Sequence, residues 1–156
     1  MAIFAGDKST FAIEASIDKR DGPPFGNVRI WLSGNYVGAY EDQVPILTFL
    51  SRMKRLLDLN IDTDGAFLKS NEAFYNAVMD GTMEDGDRYR LGLGESFDDF
   101  SLIGFLDDKL IRIIWILHDD PFFQYPNYPT GLQSATISVD LFRFVVDQFE
   151  SSVRSS

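Results

Sequence analysis

FSLIGFLDDKLIRIIWIL, residues 100 to 117, is the stretch whose reading decides the fold. Two apolar runs flank Asp107-Asp108-Lys109, a short polar turn of the kind that joins neighbouring antiparallel strands. In the second run Ile111, Ile113, Trp115 and Leu117 fall on one strand face. Leu110, Ile114 and Ile116 fall on the other, interrupted by Arg112. A strand apolar on both faces belongs inside a sheet with cover on each side. The hairpin is therefore expected at the middle of the sheet, and it carries no chemistry of its own.

Upstream, Phe11, Ile13, Ala15 and Ile17 alternate with Ala12, Glu14, Ser16 and Asp18, which predicts a strand with one buried face. DGPPFGN (21 to 27) reads as a loop, VRIWL (28 to 32) as a strand and Ser33-Gly34-Asn35 as a tight turn into Tyr36-Val37. Trp31, a large aromatic in a strand, is expected in the core. A helix is predicted to open at Asp42 with Pro45 in its first turn, burying Ile46, Phe49, Leu50, Met53, Leu56 and Leu57. Arg52, Lys54 and Arg55 are expected to face water near its end, where they suit the macrodipole.

Residues 58 to 69 read as a polar connection, in which Asp58, Asp62 and Asp64 with Gly65 faintly resemble a calcium loop but lack its terminal glutamate. A short helix is expected from Asn71 to Met79, stopped at Asp80-Gly81. RYRLGLG (88 to 94) reads as a strand, and no helix follows GLGES to make it a phosphate loop. Downstream of the hairpin, HDDPFFQYPNYPTG is either a lid packed on the core or an exposed recognition loop. SATISV (134 to 139) predicts a strand. A helix from Asp140 follows, with Leu141, Phe142, Val145, Val146 and Phe149 as its apolar stripe, and the tail SSVRSS is expected to fray. The sum is one α+β domain over residues 1 to 156: a largely antiparallel sheet of about six strands packed with two amphipathic helices and one short helix.

Charge and composition bound the function. With 24 acidic and 14 basic residues the formal net charge is −10, which opposes direct binding to nucleic acid or anionic membranes and favours a basic partner. Cysteine is absent, which excludes disulfides and thiolate chemistry and suits a reducing compartment. The opening MAIFAGDKST has no basic segment and only five apolar positions, so no signal peptide is expected and the cytoplasm is the expected location. His118, beside Asp119 and Asp120, is the single histidine and cannot build a multi-histidine metal centre. No nucleophile elbow is present, and the carboxylate pairs lie at turns, where Asp is a turn former. Neither catalysis nor a cofactor is expected.

Eleven acidic and four basic residues lie between Asp80 and Asp120, so seven of the ten excess negative charges belong to that segment. Interleaved with aromatics, they suit a basic protein surface. The candidate partner-binding residues are Glu95, Asp98, Asp99, Asp107, Asp108, Asp119, Asp120, Phe122, Phe123, Tyr125 and Tyr128.

The order of signals resembles the immunity protein 42 family of bacterial polymorphic toxin systems. It does so in GDKSTFAIE, RIWLSGNYVG, the amphipathic helix after it, GESFDDFSLIGFLDDKLIRIIW, SATISV and DLFRFVVDQF. The resemblance implies an inhibitor, made by a toxin-producing bacterium, that binds one cognate toxin. It carries over no binding residues. Two rivals stand beside it: an adaptor or chaperone for a secreted effector, and a small hydrolase using the Asp and His residues around 118 to 120.

Overall fold

The computed structural model describes residues 1–18, 21–61 and 70–155. The first sheet is a local meander. β1 (Ala2–Asp7), β2 (Phe11–Asp18), β3 (Phe25–Leu32) and β4 (Asn35–Val37) pair antiparallel in chain order, and β5 (Gln43–Pro45) pairs with the other end of β3. The β3–β4 connection is the two-residue turn Ser33-Gly34. Both residues have positive φ, 52° and 89°, the backbone whose twist matches that of the flanking strands. The second sheet has the order β6 (Phe100–Asp107), β7 (Leu110–Leu117), β8 (Gln133–Ser138), so the hairpin supplies its middle strand. Three α-helices lie among the described residues: α1 (Ile46–Lys54), α2 (Asn71–Met79) and α3 (Val139–Arg154).

The α+β class, the antiparallel pairing and the hairpin of residues 100 to 117 follow the sequence reading. The strands among the described residues, however, are eight and divide between two sheets. Both helices of the main core, α1 and α3, pack against the first sheet, and α3 also reaches β7 and β8. One apolar cluster thus joins Phe11, Ile13, Ile30, Phe49, Phe142 and Phe149 to Ile111, Ile113 and Trp115. The opposite face of the second sheet presents Ile103, Phe105 and Ile114 to Phe74, Ala77 and Val78 of α2 and to Tyr89. The hairpin is covered on both faces, as its two-sided apolar pattern requires.

Several local expectations are corrected. β1 had no strand signal of its own, because its alternation is carried by only Ile3 and Ala5. Residues 25–27 belong to β3 and are held in register by β5. α1 opens at Ile46, with Pro45 as its cap residue, because 43–45 are spent on strand pairing, and the Asp42 carboxylate binds the Gln43 amide. Trp31 is half-buried on the outer face: Val28, Ile30 and Leu32 point inward, so period-2 alternation turns it out. RYRLGLG is a 3-10 turn over Gly86–Tyr89 followed by an irregular run with one bridge, Arg90 to Ile103. α3 continues to Arg154 because Val153 is buried. The calcium-like positions Asp62, Asp64 and Gly65 lie outside the described residues.

Candidate partner-binding surface

Register along the hairpin splits the acidic candidates. Phe100 pairs with Leu117 at one end and Asp107 with Leu110 at the other. Eight residues of strand put the Asp107-Asp108 turn about 23 Å from the end that carries Asp98, Asp99, Asp119 and Asp120. Asp108 has φ +57°, which Asp tolerates in a turn. Of the upstream acids, Asp80 is engaged by Thr82 and Asp87 by Arg90, beside α2. The segment's charge is therefore not one patch. Glu95, Asp98, Asp99, Asp119, Asp120, Phe122, Phe123, Tyr125 and Tyr128 gather at one end of the second sheet; Asp107 and Asp108 do not join them.

Within that group the side chains do different work. Asp99 is 9% exposed. Its carboxylate accepts from the Phe122 amide at 2.8 Å, the Phe123 amide at 3.0 Å and the Tyr125 hydroxyl at 2.8 Å, while its carbonyl accepts from the His118 amide. Burial pushes this carboxyl up, but the two amides and the hydroxyl outweigh it and hold the pKa below the ordinary value. Asp99 is thus the clasp of the aromatic loop.

One side of that loop packs on the core and the other is exposed. Tyr125 and Tyr128 point inward against Phe100, with ring centroids 5.1 and 5.6 Å away, and against Tyr36 of β4. The Tyr128 hydroxyl donates to the Tyr36 carbonyl at 2.6 Å and accepts from Nε1 of fully buried Trp115 at 3.0 Å, tying the two sheets together. Outward, Phe122 is 87% exposed. Tyr128→Phe strands the Trp115 donor and is expected to cost about 2 kcal/mol. In a thermal melt this lowers Tm by about 4–8 °C at this chain length. Burial also pushes the Tyr128 phenol up to about 12. The stability held by its neutral form is complete below pH 10 and declines as pH rises through about 12, which alkaline titration of tyrosine absorbance would follow.

Beneath Phe122 lies a pocket of about 400 Å³ lined by Asp42, Glu95, Ser96, Asp98, Asp99 and Phe123 as well. A second groove of about 500 Å³ shares Glu95 and Asp98 as its wall and continues over Val44, Pro45, Thr48 and Arg52. Arg52 donates to the Gly92 carbonyl at its edge. Glu95 and Asp98 are exposed and have no ion-pair partner among the described residues. Sequence reasoning missed Asp42 and Ser96. Asp42 precedes α1 and arrives from the first sheet, and the Ala39 amide binds the Ser96 carbonyl at 2.6 Å to hold the two segments together. The signal for Asp42 was spent on a helix cap that does not form.

Around the corner, the outer face of the first sheet carries Arg29 over the rings of Trp31, Tyr36 and Tyr40, with Lys8 4.5 Å above Trp31. Glu14 accepts from Arg29 at 2.8 Å and from the Trp31 indole at 2.9 Å. This face meets the loop where Tyr36 stacks on Tyr125.

His118 Nε2 lies 2.9 Å from Ser101 Oγ, while the nearby Asp99 carboxylate accepts its three hydrogen bonds from the loop. Among the described residues no cluster of three or more His, Asp or Glu could hold a metal, and no helix is long and apolar enough to cross a membrane.

Comparison with known proteins follows the same lines. No curated protein matches the chain. The crystal structure of CdiI from Burkholderia dolosa superposes with a TM-score of 0.61 at 19% identity, covering 96% of this chain and 99% of that one, which is a likeness of fold. The family profile described as immunity protein 42 matches residues 1–152, through both sheets and all three helices. The chain belongs to the immunity protein 42 family.

Proposed function

We propose that the chain is a non-enzymatic immunity protein that acts in the cytoplasm by binding and neutralising one cognate toxin through the acidic, aromatic end of its second sheet. One observation carries the reading. Two unpaired carboxylates, Glu95 and Asp98, converge with Asp42 on a cleft edged by Phe122, the most exposed large apolar side chain of the described residues. Asp119 and Asp120, both exposed, extend the negative field. A basic surface docking here would find charge to steer it and an aromatic ring to bury. Toxins that act on nucleic acids present such basic clefts to their own substrates, and this surface is suited to occupying one.

Calorimetry with the toxin domain encoded beside this chain, at low and high salt, tests the reading. Binding is expected to be one-to-one and to weaken with salt. Glu95→Gln with Asp98→Asn should raise Kd about tenfold and flatten the salt dependence. Asp107→Asn with Asp108→Asn, at the far end of the hairpin, should stay within about twofold. Tight binding that ignores both salt and the Glu95 and Asp98 changes would move the interface to the Trp31, Tyr36 and Arg29 face. No binding at either salt would return the chain to the adaptor reading.

A further inference from the structure

The pocket beneath Phe122 holds one polar group that the fold leaves unused. Ser96 is 1% exposed and forms part of the pocket wall, and its buried Oγ has no hydrogen-bond partner among the described residues. Buried hydroxyls are nearly always satisfied, so a bare one in a pocket wall marks a place for an incoming polar group, to which it can donate or from which it can accept. Its neighbours are acceptors, which selects a donor. Glu95 and Asp98 are unpaired acceptors on the same wall, Asp42 is a third carboxylate, and Phe122 and Phe123 supply two aromatic rings set edge to face with centroids 4.9 Å apart. Asp99 already accepts three hydrogen bonds from the loop and adds charge to the wall.

We propose that this pocket is a receptor for a guanidinium group, an arginine side chain that the toxin inserts as its anchor. The inference deepens the toxin-binding reading and rests on it for the source of the arginine. A guanidinium matches the site in three respects. Its five donors diverge in a plane and can be shared among several acceptors, here Glu95, Asp98 and Ser96, and it lies flat against an aromatic ring. It is also weakly hydrated, so less is lost on leaving water for a half-enclosed pocket. An ammonium, a compact point charge with three donors, is more strongly hydrated and loses more on leaving water.

The test needs no toxin, so its failure is separable from failure of the toxin-binding reading, which calorimetry decides. N-acetyl-arginine amide is titrated into the isotope-labelled full chain and followed by amide shifts. The uncharged citrulline compound and N-acetyl-lysine amide serve as comparisons. Saturable shifts at Glu95, Ser96 and Phe123 are expected with the arginine compound in the millimolar range, with about tenfold weaker response to the other two. Ser96→Ala, which removes a hydroxyl the fold does not use, should weaken arginine binding about fivefold without changing Tm. An equal response to citrulline or lysine overturns the proposal. So does the absence of any shift, or a Ser96→Ala titration that matches the parent chain.

Discussion

Asp99→Asn should lower stability by about 3 kcal/mol and free the aromatic loop from the second sheet. The carboxylate accepts three hydrogen bonds, two from backbone amides of the loop and one from Tyr125, and bonds to a charged acceptor are worth about 1.5–3 kcal/mol each without being additive. The amides can turn to water once the loop loosens, so the total falls well short of the sum. Urea melts would show it as a lower midpoint, and hydrogen exchange at Phe122 and Phe123 would accelerate before global unfolding does. The effect has a pH signature. Because the pKa is depressed in the folded chain, the stabilisation is whole above the ordinary carboxyl pKa near 4 and is lost as pH falls through the lower, folded value. Parent and variant should therefore differ at pH 7 and converge once pH has fallen below the folded value. An equal gap at both pH values would mean that shape, not charge, holds the loop.

A similar loss, about 3 kcal/mol, is expected from Gly38→Ala, for a different reason. Gly38 has φ +114°, a region side chains seldom adopt, and a Cβ there would lie 2.9 Å from Cε1 of Phe97. Phe97 cannot yield, since it stacks at 5.9 Å on fully buried Phe49, which in turn packs on Phe149. Backbone strain and overpacking each contribute about 1–3 kcal/mol. Relief could come only by moving the turn that holds Glu95 and Ser96. A loss of stability in denaturant melts, with toxin affinity falling alongside, is the expected pair of results. Unchanged stability would show that the 94–97 turn is not seated as tightly as its ring contacts indicate.

How far the sequence reached depended on range. The hairpin of residues 100–117 was legible because its pattern is local and apolar on both faces, and α2 matched its expected bounds, Asn71–Met79, because Ser70 caps the Ala73 amide and Gly81 ends the run. What stayed hidden was long-range. Whether β3 and β6 share a sheet depends on which edges meet, and periodicity says nothing about that. The site was half legible for the same reason. Charge counting found Glu95 and Asp98, but it could not tell exposed Asp98 from its buried neighbour Asp99, one residue on and identical in type. Nor could it know that Asp107 and Asp108 are carried away along the strand, or that Asp42 is brought in from the first sheet by the contact between Ala39 and Ser96.

The inner face of the first sheet waits for α3. β1 and β2 are made early, yet the helix that covers them begins about 120 residues after β2 ends. At 5–20 residues per second a ribosome needs about 6–24 s to make that stretch, and for the whole interval Phe11, Ile13 and Ala15 lack their final cover. A nascent chain in this state is a template for aggregation and a client for chaperones. It is also unfinished at the end of its second sheet, where Asp99 has yet to meet the loop. Each new chain therefore completes the cover of its first sheet only after α3 has left the ribosome and docked.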